Sequence, residues 1–583
     1  MTDKEAVIPL TPRKRREEAA RIRQEALRIS QAQPLPRQMN NGEEGEYLQQ
    51  LGVPVANFTK GLPHDDKGEV KRADYDKLLK ALGSGKVEDF AAIPLGVRAE
   101  RKYTAPQTGL SYELEGPDAQ ALAIQPAPRL DSLKNDAEMM ELYWMALARD
   151  VPFIDYGTND TVALAAKELS TNYEAGLAQG RNVFDTPHIQ SINPARVFRG
   201  LTQGDLQGPY LSQFLLHEVP FGSQLIDARQ RTAPPGSDYM TRFGDWLAVQ
   251  RGVDTRAQNV LEPASTRRFI RSLRDMARYV HVDQLHQAYF NAALLLLSAS
   301  NTQLDEGNPY AGANSSAKNQ DGFGVFGPPA LLVLLTEVAS RALKAVWFQK
   351  WYVHRRLRPE EWGGRVDVFR RGLAPRYPVT QRLLNSAAHR RILEKHGSSL
   401  LPQAFPEGSP MHPAYGTGHG TVAGACVTIL KAWFNGDQRL ADLKRADGSP
   451  VLPIKVPAAN GLSLVDYTGA DARELTVDGE LNKLAANVSI GRNGAGVHWR
   501  SDYTQAVRLG EKVALGILQE QSILYNEDNH FSVTAFDGRR LRIKGGKITV
   551  TFSPQRTAAD VNRDEVEGGV EVGVDAEATA VSA

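Results

Sequence analysis

Seven stretches of this 583-residue chain, at 137–149, 161–176, 266–279, 283–298, 329–357, 422–434 and 500–525, place apolar residues three and four positions apart. That spacing gives a helix one apolar face to bury against others. Strand-like patterns come late and are short: Phe531 to Phe536 and Lys547 to Phe552, joined through Gly538 and Gly545-Gly546, read as small β-hairpins. The expected fold is therefore mainly α, a helical domain over 46–530 followed by a hairpin segment at 531–552. Residues 1–45 form a charged arm, with 13–32 favouring helix by propensity but offering few apolar positions, so the arm is either solvated or docked on another subunit. The text from Tyr47 to Val97 reads as loop, and the acidic, aromatic-free tail at 553–583 reads as disordered.

Composition removes several functional classes. A net charge of +1, from 69 basic against 68 acidic residues, lacks the basic excess of a nucleic-acid or membrane-surface binder. A single cysteine, Cys426, excludes both an intrachain disulfide and a Cys-rich metal site, and is read as buried packing. The longest apolar run, 328–347, is interrupted by Glu337, Arg341 and Lys344, so no membrane span is expected. With no secretory signal at the N-terminus, the expectation is a soluble protein, cytoplasmic by default.

Chemistry concentrates in three segments. In the first, Lys350, His354 and Arg358 are four apart, so a helix through them lines up three basic groups, and Pro359 disfavours helix at Arg358 itself. In the second, Gly416-Thr417-Gly418-His419 precedes an apolar helix whose first N–H groups lack internal partners; such a terminus binds anions, with a hydroxyl at Thr417, a backbone N–H at Gly418 and a proton-exchanging group at His419. In the third, a glycine-rich loop carries Arg492 toward His498, and Asp502 lies one helical turn beyond, where its carboxylate can orient the imidazole. A histidine so oriented is a nucleophile toward phosphate or a ligand to a metal. Each segment alone also reads blandly, as a solvated basic helix end, a glycine-rich cap and a surface His–Asp pair. One tetrahedral oxyanion satisfies all three.

The ordered set resembles the vanadium-dependent haloperoxidases of the algal and bacterial bromoperoxidase type, which share an active-site plan with type 2 phosphatidic acid phosphatases and bacterial class A acid phosphatases. Lys350, seven residues, then Arg358-Pro359 matches their first motif, and Arg492, five residues, then His498 matches their third. The resemblance extends through 57–64, 281–289 and 322–324, and covers about 40–530. Gly416-Thr417 stands where the family has Pro-Ser, which keeps a hydroxyl and loosens the turn.

The resemblance implies a helical-bundle haloperoxidase fold and a vanadate cofactor. By position, Lys350, Arg358, Arg492, the Thr417 hydroxyl and the Gly418 N–H hold the vanadate, His498 is the axial ligand to vanadium, and His419 is the acid–base partner. It also implies hydrogen peroxide and a halide as substrates, Lys350 polarising the peroxide, and hypohalous acid or its equivalent halogenating a small organic substrate. Asp283 is either a salt-bridge partner to one of the arginines or an ordinary helix carboxylate, His412 lies where bromoperoxidases often carry histidine, and Trp347 lies where chloroperoxidases and brown-algal enzymes carry tryptophan; bromide is the expected halide, with iodide easier to oxidise and chloride undecided. Asp305, Glu306 and Asp321 do not form a convincing ligand pattern for the divalent ion that relatives bind near 301–324. A homo-oligomer is expected. Two other functions fit the same residues: a phosphohydrolase with His498 as nucleophile, and a non-catalytic oxyanion-binding protein.

Overall fold

The computed structural model describes residues 9–178, 192–311 and 319–552. The acidic tail, the first eight residues and part of the 301–324 loop lie outside the described residues.

Eight helices matter for the site: α1 (Pro12–Ala32), α2 (Leu133–Leu147), α3 (Leu273–Val282), α4 (Pro328–Phe348), α5 (Pro359–Arg370), α6 (Gly418–Trp433), α7 (Val477–Gly494) and α8 (Arg500–Gln521). Their starts follow local chemistry. Ser132, Ser272 and Thr476 accept hydrogen bonds from the backbone N–H three residues on, capping α2, α3 and α7. Prolines 328 and 359 open α4 and α5, where a missing N–H costs nothing. α1 caps on Thr11 and buries none of its residues.

α6 runs through the centre, and every residue of it except His419 is buried. It packs on α4, α7 and α8, and residues such as Val422, Ile429 and Leu430 each contribute about 1.5–3 kcal/mol by leaving water. Two glycines set how closely α6 and α8 cross. A Cβ on Gly424 would lie 2.0 Å from Val507 O, and one on Gly510 would lie 2.0 Å from Thr421 O. Cys426 sits in this core, as expected, and burial pushes its thiol up.

The late strands form an antiparallel sheet of three, β1 (Phe531–Thr534), β2 (Arg540–Lys544) and β3 (Lys547–Phe552), in the order β1-β2-β3. Gly545 and Gly546, both at positive φ, make the two-residue turn between β2 and β3. Phe531, Val533, Leu541, Ile543 and Ile548 alternate onto the face that joins the main core. Two further hairpins pair Val219–Phe221 with Gln224–Ile226 and Lys455–Pro457 with Leu464–Asp466. Among the described residues no helix is long and apolar enough to cross a membrane.

Several boundaries depart from the sequence reading. The 329–357 stretch is not one helix: α4 ends at Phe348, a π-helical turn follows over Gln349–His354, and Arg355 adopts the left-handed region at φ 43°. The 266–279 helix begins only at Leu273, because Arg268 is paired with Gln230 in a β-bridge. The next helix starts at Gln287 rather than Asp283, whose backbone is extended. The supposed loop at 47–97 contains helices at Glu43–Gln50, Arg72–Ser84 and Val87–Ala91.

The crossing of α6 and α8 gives a direct test. Gly510→Ala forces the helices apart and should lower stability by about 1–3 kcal/mol. Gly83→Ala, in a helix where a Cβ meets nothing within 4 Å, should raise it by about 0.4–1 kcal/mol. Urea midpoints that move together for the two variants contradict this packing.

Candidate active site

The π-helical turn and the starts of α5, α6 and α8 meet the ends of α3 and α7. Two of these helix starts, those of α5 and α8, carry carboxylates in their first turns, Glu361 and Asp502, while α6 carries none and keeps its positive end uncompensated. A closed circuit of contacts encircles it. Trp347 packs on Gly418, where a Cβ would lie 3.4 Å from its ring, and its ring centroid is 4.7 Å from that of His412. His412 Nδ1 is 2.9 Å from Arg358 Nη2, and Arg358 Nη1 is 2.8 Å from His498 Nε2. His498 Nδ1 is 2.7 Å from Asp502 Oδ2, and the Thr417 N–H donates to Asp502 O at 3.1 Å. Lys350 donates to the carbonyls of Pro413 and Ala414 at 3.0 and 2.7 Å, with its Nζ 5.9 Å from the Trp347 ring.

Arg492 and His419 enter through the end of α3. Arg492 Nη1 donates to Val280 O at 2.7 Å, and three residues on Asp283 Oδ1 meets His419 Nε2 at 3.0 Å. Asp283 pairs with the histidine rather than with an arginine, because its extended backbone carries the carboxylate past the helix end. His354, expected on the stripe with Lys350 and Arg358, is absent from the circuit. The π-turn and the left-handed Arg355 break the stripe, and the His354 ring packs edge-on against Tyr415 with neither nitrogen bonded. Arg358 therefore leads the next helix rather than ending the previous one. Arg492 lies in the last turn of α7 and not in a loop.

The electrostatics are unbalanced. Lys350 and Arg358 are wholly buried and Arg492 nearly so, yet their hydrogen bonds go to carbonyls and imidazoles. Burial drives Lys350 well below the ordinary lysine range, with repulsion from Arg358 adding to it. Burial lowers Arg358 to about 9 and Arg492 to about 10. Other buried cations are met by carboxylates, as Lys60 is by Glu360 at 2.6 Å and Arg149 by Asp238 at 2.5 Å, or stand singly on carbonyls, as Lys431 does on Thr534 O; here three gather together. His498 is held well below its usual range by burial and by Arg358, Lys350 and Arg492. A guanidinium can only donate, so the Nε2 of His498 is the acceptor and its proton sits on Nδ1, toward Asp502. Burial raises Asp283, but His419 and Arg492 outweigh it and leave the carboxyl below the normal range.

Among the groups assigned to the oxyanion, two have unbonded polar atoms. The Thr417 hydroxyl is buried and unbonded, and it does not cap α6 although it occupies the N-cap position. Arg492 Nε is buried and unbonded as well. Together with the N–H groups opening α6, these are the donors that a buried multiply charged oxyanion requires.

Comparison with known proteins decides the family. The chain is 35% identical over 603 residues to the vanadium-dependent bromoperoxidase of Corallina officinalis, covering 89% of this chain and 96% of that one. It is 36% identical to the vanadium-dependent bromoperoxidase of Corallina pilulifera, over 84% of this chain and 91% of that one, and 33% identical to that of Ascophyllum nodosum, over 88% and 89%. The chain belongs to the vanadium-dependent bromoperoxidases. The family model described as the VCPO second helical-bundle domain matches residues 385–526, which include Thr417, His419, Arg492 and His498. The fold is similar to the homohexameric structure of the second vanadate-dependent bromoperoxidase of Ascophyllum nodosum, with TM-score 0.79, 27% identity, and 94% and 95% of the two chains covered.

Vanadate, the bromoperoxidase cofactor, fits the residues present: three buried cations, an orphan hydroxyl, a helix N-terminus and an imidazole with its Nε2 lone pair inward. Sequence reasoning missed the residues that hold these groups. Glu361, in the first turn of α5, accepts from the Arg358 N–H at 2.8 Å and from the Thr59 N–H at 2.8 Å. Lys60 binds Glu360 and the carbonyls of Glu407 and Ser409, tying the 57–64 segment to the strand of chain that leads to His412. The likeness at 57–64 was the available signal; its partners were separated by 300 residues or more and were not.

Thr417 provides the test of the orphan hydroxyl. Thr417→Val keeps the shape and removes the donor, and should weaken vanadate binding about 10–100-fold, the size of one charge-assisted hydrogen bond. Thr417→Ser should stay within about threefold of the unaltered protein. Calorimetric titration with orthovanadate reads both, and equal affinity for the valine variant contradicts the assignment.

Proposed function

We propose that this protein oxidises halide with hydrogen peroxide at a vanadate held by Lys350, Arg358, Arg492, the Thr417 hydroxyl and the Gly418 N–H, with His498 Nε2 as the nitrogen ligand. The observation that carries this reading is the buried cluster of three cations without carboxylate hydrogen bonds, in a chain of this family. Bound vanadate supplies a +5 Lewis acid, so peroxide can be activated toward halide without electron transfer through the protein.

The residues contribute binding, orientation and proton transfer. The three cations hold an anion that no exposed site would desolvate so fully. Asp502 holds the His498 ring with its Nδ1 proton outward and its Nε2 lone pair toward the cup. His419 donates through Nε2 to Asp283, which leaves Nδ1 as the nitrogen that takes and returns the peroxide proton. Lys350, fixed by two carbonyls, retains a third N–H to polarise a bound oxygen.

Bromide is the proposed halide, with iodide oxidised more easily. His412 and Trp347, their rings packed together at a 44° tilt at the wall of the cup, are the proposed halide-side residues. The bromoperoxidase names of the three relatives support this choice. The chain is also proposed to be a homo-oligomer, supported by the hexameric relative and by α1, a 21-residue helix with no buried residue and Leu27 56% exposed.

Vanadate-loaded protein should brominate a phenol dye with peroxide and bromide. His419→Ala should keep vanadate and lose about 100–10,000-fold in turnover. His498→Ala should lose turnover and bind vanadate more weakly. Phosphate release from an aryl phosphate without halide-dependent bromination overturns the reading in favour of a phosphohydrolase; vanadate binding without any turnover favours a binding protein. On the same preparation, light scattering should give a multiple of 64.0 kDa, and a monomer mass contradicts the assembly.

A further inference from the structure

Between Arg355 and Arg358 three guanidiniums leave the chain in three directions. Arg355 goes to Glu44 at 2.5 Å, and Arg358 goes into the cup. Arg356 goes to neither. It is buried, and it reaches the start of α8 from behind the active-site imidazole. Its Nη1 donates to Ser501 Oγ at 2.9 Å and lies 3.4 Å from Asp502 Oδ1. Its Nη2 lies 3.1 Å from Asn135 Oδ1 and 3.3 Å from Glu138 Oε2, both on α2.

The same guanidinium stacks 4.6 Å from the Trp499 ring, so it touches three of the four residues from 499 to 502. Glu138 completes the grip, accepting from the Ser501 N–H at 2.7 Å and from Ser501 Oγ at 3.0 Å. Asp502 uses its other oxygen, Oδ2, for His498 Nδ1 at 2.7 Å and the Trp499 N–H at 3.0 Å. A carboxylate held on Oδ1 cannot rotate away from the ring it holds on Oδ2.

We infer that Arg356 is a positioning residue for the active-site histidine: by locking Asp502 against α2 it fixes the His498 ring with Nε2 turned into the cup. The planar fork of arginine matters here, because one ammonium cannot satisfy Asp502, Ser501, Asn135 and Glu138 from a single point. This inference rests on the reading of His498 as the vanadate ligand.

A double-mutant cycle separates positioning from general support of the fold. Orthovanadate affinity is measured by calorimetry on the full chain for the unaltered protein, Arg356→Met, Asp502→Asn, the double variant and His498→Ala. Each of the two single changes at 356 and 502 should weaken binding about 10–100-fold, as loss of an outer partner of a metal-ligating histidine does. The double variant should be no weaker than the weaker single by more than about threefold, since both act through one ring. If Arg356→Met does not give a folded protein by circular dichroism, Arg356→Lys replaces it in the same cycle with the same expectation.

Losses that multiply, or an Arg356 variant within about twofold of the unaltered protein, overturn the inference. Failure of the underlying reading looks different: the unaltered protein binds no vanadate, or His498→Ala binds it equally well.

Discussion

Three cations buried within one circuit of contacts repel each other and have given up most of their water, and the rest of the site exists to hold them there. Lys350, Arg358 and Arg492 are kept in place by carbonyls that cancel little of their charge. The arrangement is unfavourable by itself and becomes favourable when a compact, multiply charged anion enters. The N-terminus of α6, with no carboxylate in its first turn, adds to the positive field. Three clustered cations gain more from a multiply charged anion than from a singly charged halide or carboxylate.

The scaffold explains how such a site survives. Each cation is backed by a separate anchor in the fold: Arg358 by Glu361 at the start of α5, Lys350 by the π-turn, Arg492 by the end of α3. His498 is backed by Asp502 and, behind it, by Arg356 and Glu138. The negative charges therefore sit one layer out, close enough to steady the histidines and far enough to leave the inner layer positive. Asp283 follows the same rule, bonding His419 while its field reaches Arg492.

Much of this was legible before the structure. Helical periodicity located α2, α4, α6 and α8, and the three motif segments held eight residues that the fold brings near one another, Lys350, Arg358, Thr417, Gly418, His419, Arg492, His498 and Asp502, because charged and imidazole side chains at fixed spacings are visible in one dimension. What was illegible had physical causes. α7 is buried on all faces and carries Asn482, Lys483, Asn487 and Ser489 in its interior, so no apolar stripe marked it as a helix, and Arg492 looked like a loop residue. The π-turn at Gln349–His354 keeps helical spacing in sequence while rotating His354 out of line, which no periodicity can report. Arg356 carries no signal in the sequence, since its partners on α2 and α8 lie 145 residues or more away.

The central claim is that one oxyanion sits in this cup with an imidazole bonded to its metal. X-ray absorption on the vanadate-loaded protein tests it directly. The account predicts a pentavalent vanadium with one nitrogen neighbour at bonding distance, a signal that disappears in His498→Ala while the oxygen shell remains. An all-oxygen shell in the unaltered protein, or a nitrogen neighbour that persists in His498→Ala, would contradict it.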